Sequence, residues 1–241
     1  MNKITSKENQ KIKELIKLYD NKYRKEKFLF IVEGFHLLEM ALSNNLVKEI
    51  YTLKEIEGID NSIPQYQINS DILKKISKTK SPQGVVAICH FKKEKPIGNR
   101  LIYLDNIQDP GNLGTILRSA LAFSYFDVVI SSDSVSLYNE KVISASQGAI
   151  FKLNILLDKD VSYLNKLKED GYQLISTALK DSKNINEIKL KDKYVLIFGN
   201  EGQGIRKEIL DISSDKLKID MDNIDSLNVG VAASILMYLL K

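Results

Sequence analysis

Apolar and polar positions alternate along this chain in two different ways. In the first hundred residues, Ile12, Leu15, Ile16 and Leu18 fall at helical spacing within Lys7–Tyr19, which predicts an amphipathic helix. The short apolar runs FLFIV (28–32), Lys48–Thr52 and VVAIC (85–89) read as strands, with helices near Phe35–Ser43 and Asp71–Lys78. Lys22, Arg24, Lys25 and Lys27, with Tyr23 among them, read as a basic loop. Ser81-Pro82-Gln83-Gly84 reads as a turn, and the polar segment 90–100 as a linker carrying Pro and Gly. Beyond it, strands are expected at 101–104, 127–130, 153–156, 173–177, 194–198 and 216–219, with helices in the gaps. That alternation predicts a mostly parallel sheet covered on both faces. The chain is therefore read as two α/β domains, 1–95 and 96–241.

The last part of the pattern is different again. Asp225-Ser226-Leu227-Asn228 is polar and runs into twelve nearly all-apolar residues ending at Leu240. Ser226 or Asn228 is the expected cap, because either side chain can accept from free backbone N–H groups. A helix apolar all round is expected to be covered on every side. It is too short to cross a bilayer, which needs about 20 apolar residues.

Composition narrows the picture. A chain of 241 residues with 44% hydrophobic residues can bury a core. Its one cysteine, Cys89, excludes an internal disulfide and any zinc–thiolate cluster. The opening residues lack the apolar core of a signal peptide, so a cytoplasmic location is expected. Residues 1–100 hold 19 Lys and Arg against 12 acids, or +7, and residues 101–241 hold 16 against 19, or −3. A basic half joined to a mildly acidic one is what a polyanion grip attached to a second function would show; solvated lysine faces would show it too.

Three constellations carry candidate chemistry. In LDNIQDPGNLGTILRSA (104–120) a strand gives way to a turn at Asp109-Pro110-Gly111, Asn112 opens a helix, and Arg118 lies just off its buried stripe. An ordinary cap with a surface arginine fits that spacing as well as a site does. In VLIFGNEGQGIRKEIL (195–210) an apolar strand enters a glycine-rich loop. Its order is G-x-x-G-x-G, neither the dinucleotide fingerprint nor a phosphate loop, which disfavours a nucleotide-dependent oxidoreductase. Glu201 in that loop would repel phosphate; it suits a cationic ligand, a partner arginine or a helix-start carboxylate. The third is the stretch with Ser226 and Asn228. All three sit where strands give way to helices, the edge of an α/β sheet at which ligands collect.

At these residues the chain resembles the SpoU/TrmH-type RNA 2′-O-ribose methyltransferases of the SPOUT superfamily. The likeness rests on Asn112 and Arg118, then Phe198-Gly-Asn-Glu-Gly-Gln-Gly204, then Ile219-Asp-Met221 with Ser226-Leu-Asn-Val229. Phe30-Ile-Val-Glu-Gly34 and Ser81-Pro-Gln-Gly-Val85 resemble the small RNA-binding, ribosomal-protein-like domain often attached to these enzymes. Two positions depart from the family: Asp220 stands for a usual proline, and Asn223 for a usual glycine whose left-handed conformation an asparagine can adopt at a cost.

The resemblance implies a deep trefoil knot in the C-terminal domain and a homodimer formed through it. It implies S-adenosyl-L-methionine as cofactor, held by Gly199, Ile219 and Leu227, with Thr177, Ala178, Gly204 and Met221 around it. It assigns catalysis to Arg118, Asn112, Glu201, Ser226 and Asn228, with Asn112 orienting Arg118 or the nucleotide and Glu201 pairing with Arg118 or another cation. Arg24, Lys25 and Lys27 become the candidate RNA contacts, 23S ribosomal RNA the expected substrate, and no metal or membrane is called for. Transfer RNA, or a non-catalytic RNA-binding factor in ribosome assembly on the same scaffold, are the alternatives. His36 and His90 are read as structural.

Overall fold

The computed structural model describes residues 2–179 and 181–241. They form two compact units, residues 1–93 with 138–151, and residues 94–137 with 152–241.

In the first unit the chain runs β1 (Asn2–Lys3), α1 (Gln10–Lys17), α2 (Asn21–Lys27), β2 (Leu29–Glu33), α3 (Phe35–Ser43), β3 (Val47–Thr52), β4 (Gln65–Gln67), α4 (Ser70–Ile76) and β5 (Val85–His90). The sheet order is β1-β4-β3-β5-β2. It is mixed, with β5 antiparallel to both β2 and β3, and β4 parallel to β3. Ile12 and Leu15 of α1 meet Ile72 and Ile76 of α4 and Tyr51 of β3 in one core. Strand β4 escaped the sequence pattern because its three residues, Gln-Tyr-Gln, are only half-buried.

The expected basic loop at 22–27 is a helix. Asp20 caps α2 by accepting from the Tyr23 N–H, and Phe28 closes it in the left-handed conformation at φ 53°. The helix changes what its cations do. Arg24 is 3% exposed, and its guanidinium donates to the carbonyls of Leu18 (3.0 Å) and Tyr19 (2.8 Å). Its expected role as a surface RNA contact is corrected accordingly: the group is spent inside the unit. Lys27 pairs with Glu26 at 2.9 Å and lies over the Tyr23 ring, and both it and Lys25 are exposed.

The second unit holds β6 (Arg100–Leu104), α5 (Pro110–Ala122) and β7 (Asp127–Ser131). Helices α6 (Glu140–Ser146) and α7 (Ala149–Lys152) follow in sequence, most of which belong to the first unit. Then come β8 (Asn154–Asp158), α8 (Ser162–Glu169), β9 (Gln173–Thr177), β10 (Tyr194–Phe198), α9 (Lys207–Ile212), β11 (Asp215–Leu217) and α10 (Val229–Leu239). The sheet order is β11-β9-β10-β6-β7-β8, and every neighbouring pair is parallel. Strands β6 and β10 are buried on both faces, which their near-continuous apolar sequence requires. The order reverses between them, so the loops leaving β6 and β10 flank the switch point of the sheet.

Helix α10 differs from expectation. Asn228 is its cap, accepting from the N–H groups of Gly230 and Val231. Gly230, Ala233, Leu236 and Met237 are buried, but Val231, Tyr238 and Leu239 are 46%, 54% and 54% exposed. The helix is covered on one side by α5, where Ser119 and Ser234 share a hydrogen bond of 2.7 Å, and is not covered all round. Among the described residues, no helix is long and apolar enough to cross a membrane.

Arg24→Ala should lower the stability of the protein by about 1–3 kcal/mol in chemical denaturation, because it empties buried space and strips two carbonyls of their donor. An unchanged denaturation midpoint would show that the guanidinium has no structural role.

Candidate active site

The helix after β6 starts two residues earlier than its sequence suggested. Asp109 caps α5 by accepting from the Asn112 N–H, and Pro110 occupies the first turn, where a missing N–H costs nothing. Asn112 therefore points its amide out of the first turn. Arg118, two turns on, is exposed, and among the described residues it makes no hydrogen bond or ion pair.

The loop after β10 closes on itself. Asn200 N–H donates to the Gly204 carbonyl and Gly204 N–H returns the bond, at 2.9 and 3.0 Å. Gly204 takes φ +72°, and a Cβ on Gly199 would lie 2.4 Å from the Gly204 carbonyl carbon. Only glycine allows that approach. Asn200 Oδ1 accepts from the N–H groups of Gly202 and Gln203, both at 2.9 Å. The loop amides that a phosphate would seek are thus already taken, in keeping with the wrong glycine order for a nucleotide loop.

Glu201 points from this loop to the start of α5. Its carboxylate accepts from Gln108 N–H (3.2 Å), Asp109 N–H (3.1 Å) and Asn112 Nδ2 (3.0 Å). Asn112 Oδ1 in turn accepts from Asn228 Nδ2 at 2.9 Å, and Asn228 caps α10. Glu201, Asn112 and Asn228 form one continuous relay between loops 89 and 116 residues apart in the chain. Within one chain, Glu201 does not pair with Arg118 and Asn112 does not orient it, which leaves the other halves of those expectations, another cation for Glu201 and the nucleotide for Asn112. The carboxylate serves the N-terminus of a helix, but of α5 rather than of its own α9. Partial burial would raise the Glu201 pKa, but the Asn112 amide and the backbone donors outweigh it and hold the carboxyl below the ordinary glutamate value.

Beside the relay lies a cleft of about 570 Å³ at the carboxyl ends of β9, β10 and β11. Thr177, Ala178, Gly199, Gly204, Ile219, Met221 and Leu227, the seven positions expected around a cofactor, all line it, as do Glu201, Ser226 and Asn228. Its floor is Leu236 of α10. Glu201 is its one carboxylate and Lys218 its one cation among the described residues. The backbone N–H groups of Ile219 and Leu227 have no partner within the described chain. Arg118 and Asn112 do not line the cleft. Asn223 is not among the residues with positive φ, so that position needs no glycine, and Asp220 lies 3.5 Å from Lys218 Nζ. Sequence reasoning passed over Leu179 and Lys218, which also line the cleft, and Asn200, whose side chain shapes the loop. A polar residue directly after the first glycine was the available signal for Asn200. Among the described residues, no cluster of His, Cys, Asp or Glu is placed to hold a metal.

Comparison with known proteins matches this geometry to a family. The sequence profile of the SpoU rRNA Methylase family matches residues 99–238, and that of the MRM3-like substrate binding domain matches residues 9–87. This chain belongs to the SpoU rRNA methylase family. It is 34% identical, over 100% of both chains, to the 23S rRNA (guanosine(2553)-2′-O)-methyltransferase RlmP of Bacillus subtilis. An AdoMet-bound rRNA methyltransferase from Sinorhizobium meliloti, 24% identical, shares the fold with a TM-score of 0.90 over 98% of this chain and 96% of its own. A solved RNA 2′-O ribose methyltransferase is 27% identical with a TM-score of 0.79, over 98% and 96% of the two chains.

Gly199→Ala should break the loop, since the clash is with backbone rather than with a flexible side chain. Hydrogen exchange over residues 199–206 should rise sharply; native-like protection there would contradict the close approach. The lowered Glu201 pKa also sets a sign. Its stabilisation is complete above the unfolded-state carboxyl value, about 4.3, and is lost as pH falls through the lower folded-state value. Glu201→Gln should therefore be less stable than the parent at pH 7, and the two denaturation midpoints should converge in acid. A gap that widens as pH falls would refute the assignment.

Proposed function

We propose that this protein transfers a methyl group from S-adenosylmethionine to a ribose 2′-hydroxyl of RNA, with 23S ribosomal RNA as its substrate. The observation that carries this reading is the Glu201–Asn112–Asn228 relay at the rim of the cleft. Membership of the SpoU rRNA methylase family and the full-length likeness to a 23S rRNA 2′-O-methyltransferase support it.

The cleft fits the cofactor by its chemistry. Walls of Ala178, Met221, Leu227 and Leu236, free N–H groups on Ile219 and Leu227, and one carboxylate suit an adenosyl group carrying a sulfonium. A polyphosphate would find one lysine and no free loop amides at Gly202 and Gln203. Thr177, Ala178, Gly199, Gly204, Ile219, Met221 and Leu227 would hold the cofactor, which when bound supplies an electrophilic methyl for in-line displacement. The protein's own work is positioning and water exclusion. Glu201, Asn112 and Asn228 keep the three loops at fixed separation, and Ser226 lines the acceptor side. Arg118 supplies a permanent cation that holds an RNA phosphate or stabilises the oxygen as it loses its proton.

Arg118 reaches the chemistry from a second copy of the chain. It lies outside its own cleft, on α5, beside a helix whose Val231, Tyr238 and Leu239 are uncovered. A homodimer through α5 and α10 buries that apolar face and brings each Arg118 to the partner's cleft. The trefoil knot belongs to the same reading: after β11 at the sheet edge, the chain returns through residues 218–228 to pack α10 on α5. The first unit selects the RNA, with Lys25 and Lys27, but not Arg24, as exposed contacts on α2.

The test is methyl transfer to 23S rRNA, followed by mapping of the modified ribose. One 2′-O-methyl is expected; none in ribosomal RNA, with transfer to tRNA instead, would move the substrate to tRNA, and none in either would reject the activity. Arg118→Ala should reduce transfer by about 100-fold or more, with cofactor affinity within a few fold. Co-expressed Arg118→Ala and Glu201→Gln chains should recover about a quarter of parental activity. Half of a random mixture is mixed dimer, and each such dimer holds one intact shared site. No recovery in verified mixed dimers would place Arg118 in its own chain's site.

A further inference from the structure

Asp105 and Arg206 stand outside the relay and the cleft, yet they make the most buried ion pair among the described residues. Asp105 is 0% exposed and follows directly on β6. Its N–H donates to the Phe198 carbonyl at 2.8 Å, so it is fixed to the last residue of β10. Its Oδ1 accepts from Arg206 Nε at 2.7 Å and its Oδ2 from the Arg206 backbone N–H at 2.9 Å, with Arg206 Nη2 in ion-pair contact with Oδ1 at 2.7 Å. Arg206 is the residue before α9 and ends the glycine-rich loop. Both ends of that loop are thus pinned to one buried group, Phe198 at its entry and Arg206 at its exit. The free Nη1 of Arg206 reaches Glu208 at 3.2 Å and Asp133 at 3.8 Å. Asp133 belongs to the loop after β7, where its carbonyl accepts from Gln108 Nε2 at 2.7 Å.

We infer that Asp105 and Arg206 are positioning residues for the cofactor: they set the span of loop 199–205, and with it the width of the cleft that Gly199, Gly204 and Ile205 line. The inference rests on the proposed cofactor reading. A buried carboxylate is costly unless paired and fully bonded, and its retention here asks for a task that an apolar pair could not perform. That task is geometric. Two donors from one residue, with an ion-pair contact beside them, fix both the side chain and the backbone of Arg206, so the loop exit cannot slide relative to β6. Lysine at 206 would keep the charge but lose the fixed Nε–H donor of the planar guanidinium.

The experiment uses the full chain and measures KM for S-adenosylmethionine and for RNA separately, with calorimetric binding of S-adenosylhomocysteine as a check. Arg206→Lys should raise the cofactor KM tenfold or more, leaving kcat and the RNA KM within threefold. Asp105→Asn/Arg206→Gln removes the charge pair together, leaves no unpaired buried ion and keeps the protein folded if Arg206→Lys does not; it should show the same selective loss. A purely structural role would lower the melting temperature without separating the two KM values, and that result, in either variant, overturns the inference. Failure of the parent chain to bind the cofactor at all would instead reject the reading on which the inference rests.

Discussion

One carboxylate holds the candidate site together. Glu201 satisfies two backbone donors that the start of α5 would otherwise leave open, and it reaches the Asn112 amide with the same group. Helix starts carry unpaired N–H groups and a partial positive charge, so a carboxylate from elsewhere is a good partner for one. The consequence is that two loops distant in sequence are held at a fixed separation. Asn228 extends the contact to α10 by using one end of its amide on Asn112 and the other on its own helix. Each polar group in the relay has a partner, which is the condition under which such a network rigidifies rather than weakens a fold.

The parallel sheet explains why these loops meet at all. With β6 and β10 paired in register from Arg100 with Tyr194 to Leu104 with Phe198, both strands end at the same level. The loops that follow them must emerge side by side. Strand β9 lies on the far side of β10 and ends at Thr177, and β11 lies beyond it, ending at Leu217. The ends of β9, β10 and β11 therefore bring together the residues around the cleft, and α10 supplies its floor. Apolar walls beside a single carboxylate follow from this arrangement, because buried strands contribute aliphatic side chains and the loops contribute backbone.

Glycine and asparagine divide the labour in the loop after β10. Gly199 permits the backbone to approach Gly204 and Ile205, and Gly204 supplies the left-handed turn. Asn200 then consumes the amides that the turn leaves exposed. A loop built in this way is shaped for contact through the backbone at its first glycine, not for gripping phosphate along its crest. The same economy appears in the first unit, where Gly34 at φ +94° lies against Gln83 Oε1, and Gln83 accepts from the Phe35 N–H at 3.1 Å. The two motifs singled out there, at 30–34 and 81–85, interlock.

The sequence alone determined the longer strands and the parallel architecture of the second unit, because these are written in local pattern, while the seven positions that line the cleft came from the family resemblance. Apolar runs of five residues are strands wherever they are buried, and glycine is diagnostic where only glycine fits. The sequence also determined that Asn112, Glu201 and Asn228 belong to one site, through their motifs, but not what they do there. Tertiary structure decided that they bond to one another and not to Arg118, since pairing across 89 and 116 residues depends on where strands end in space. It decided that Lys22–Lys27 is helical and Arg24 buried, because the Asp20 cap and the carbonyls of Leu18 and Tyr19 outweigh the polar composition of that stretch. It gave residues 138–151 to the first unit, a partition no local composition marks. And it left one face of α10 bare, since an all-apolar helix records that it must be covered but not by what.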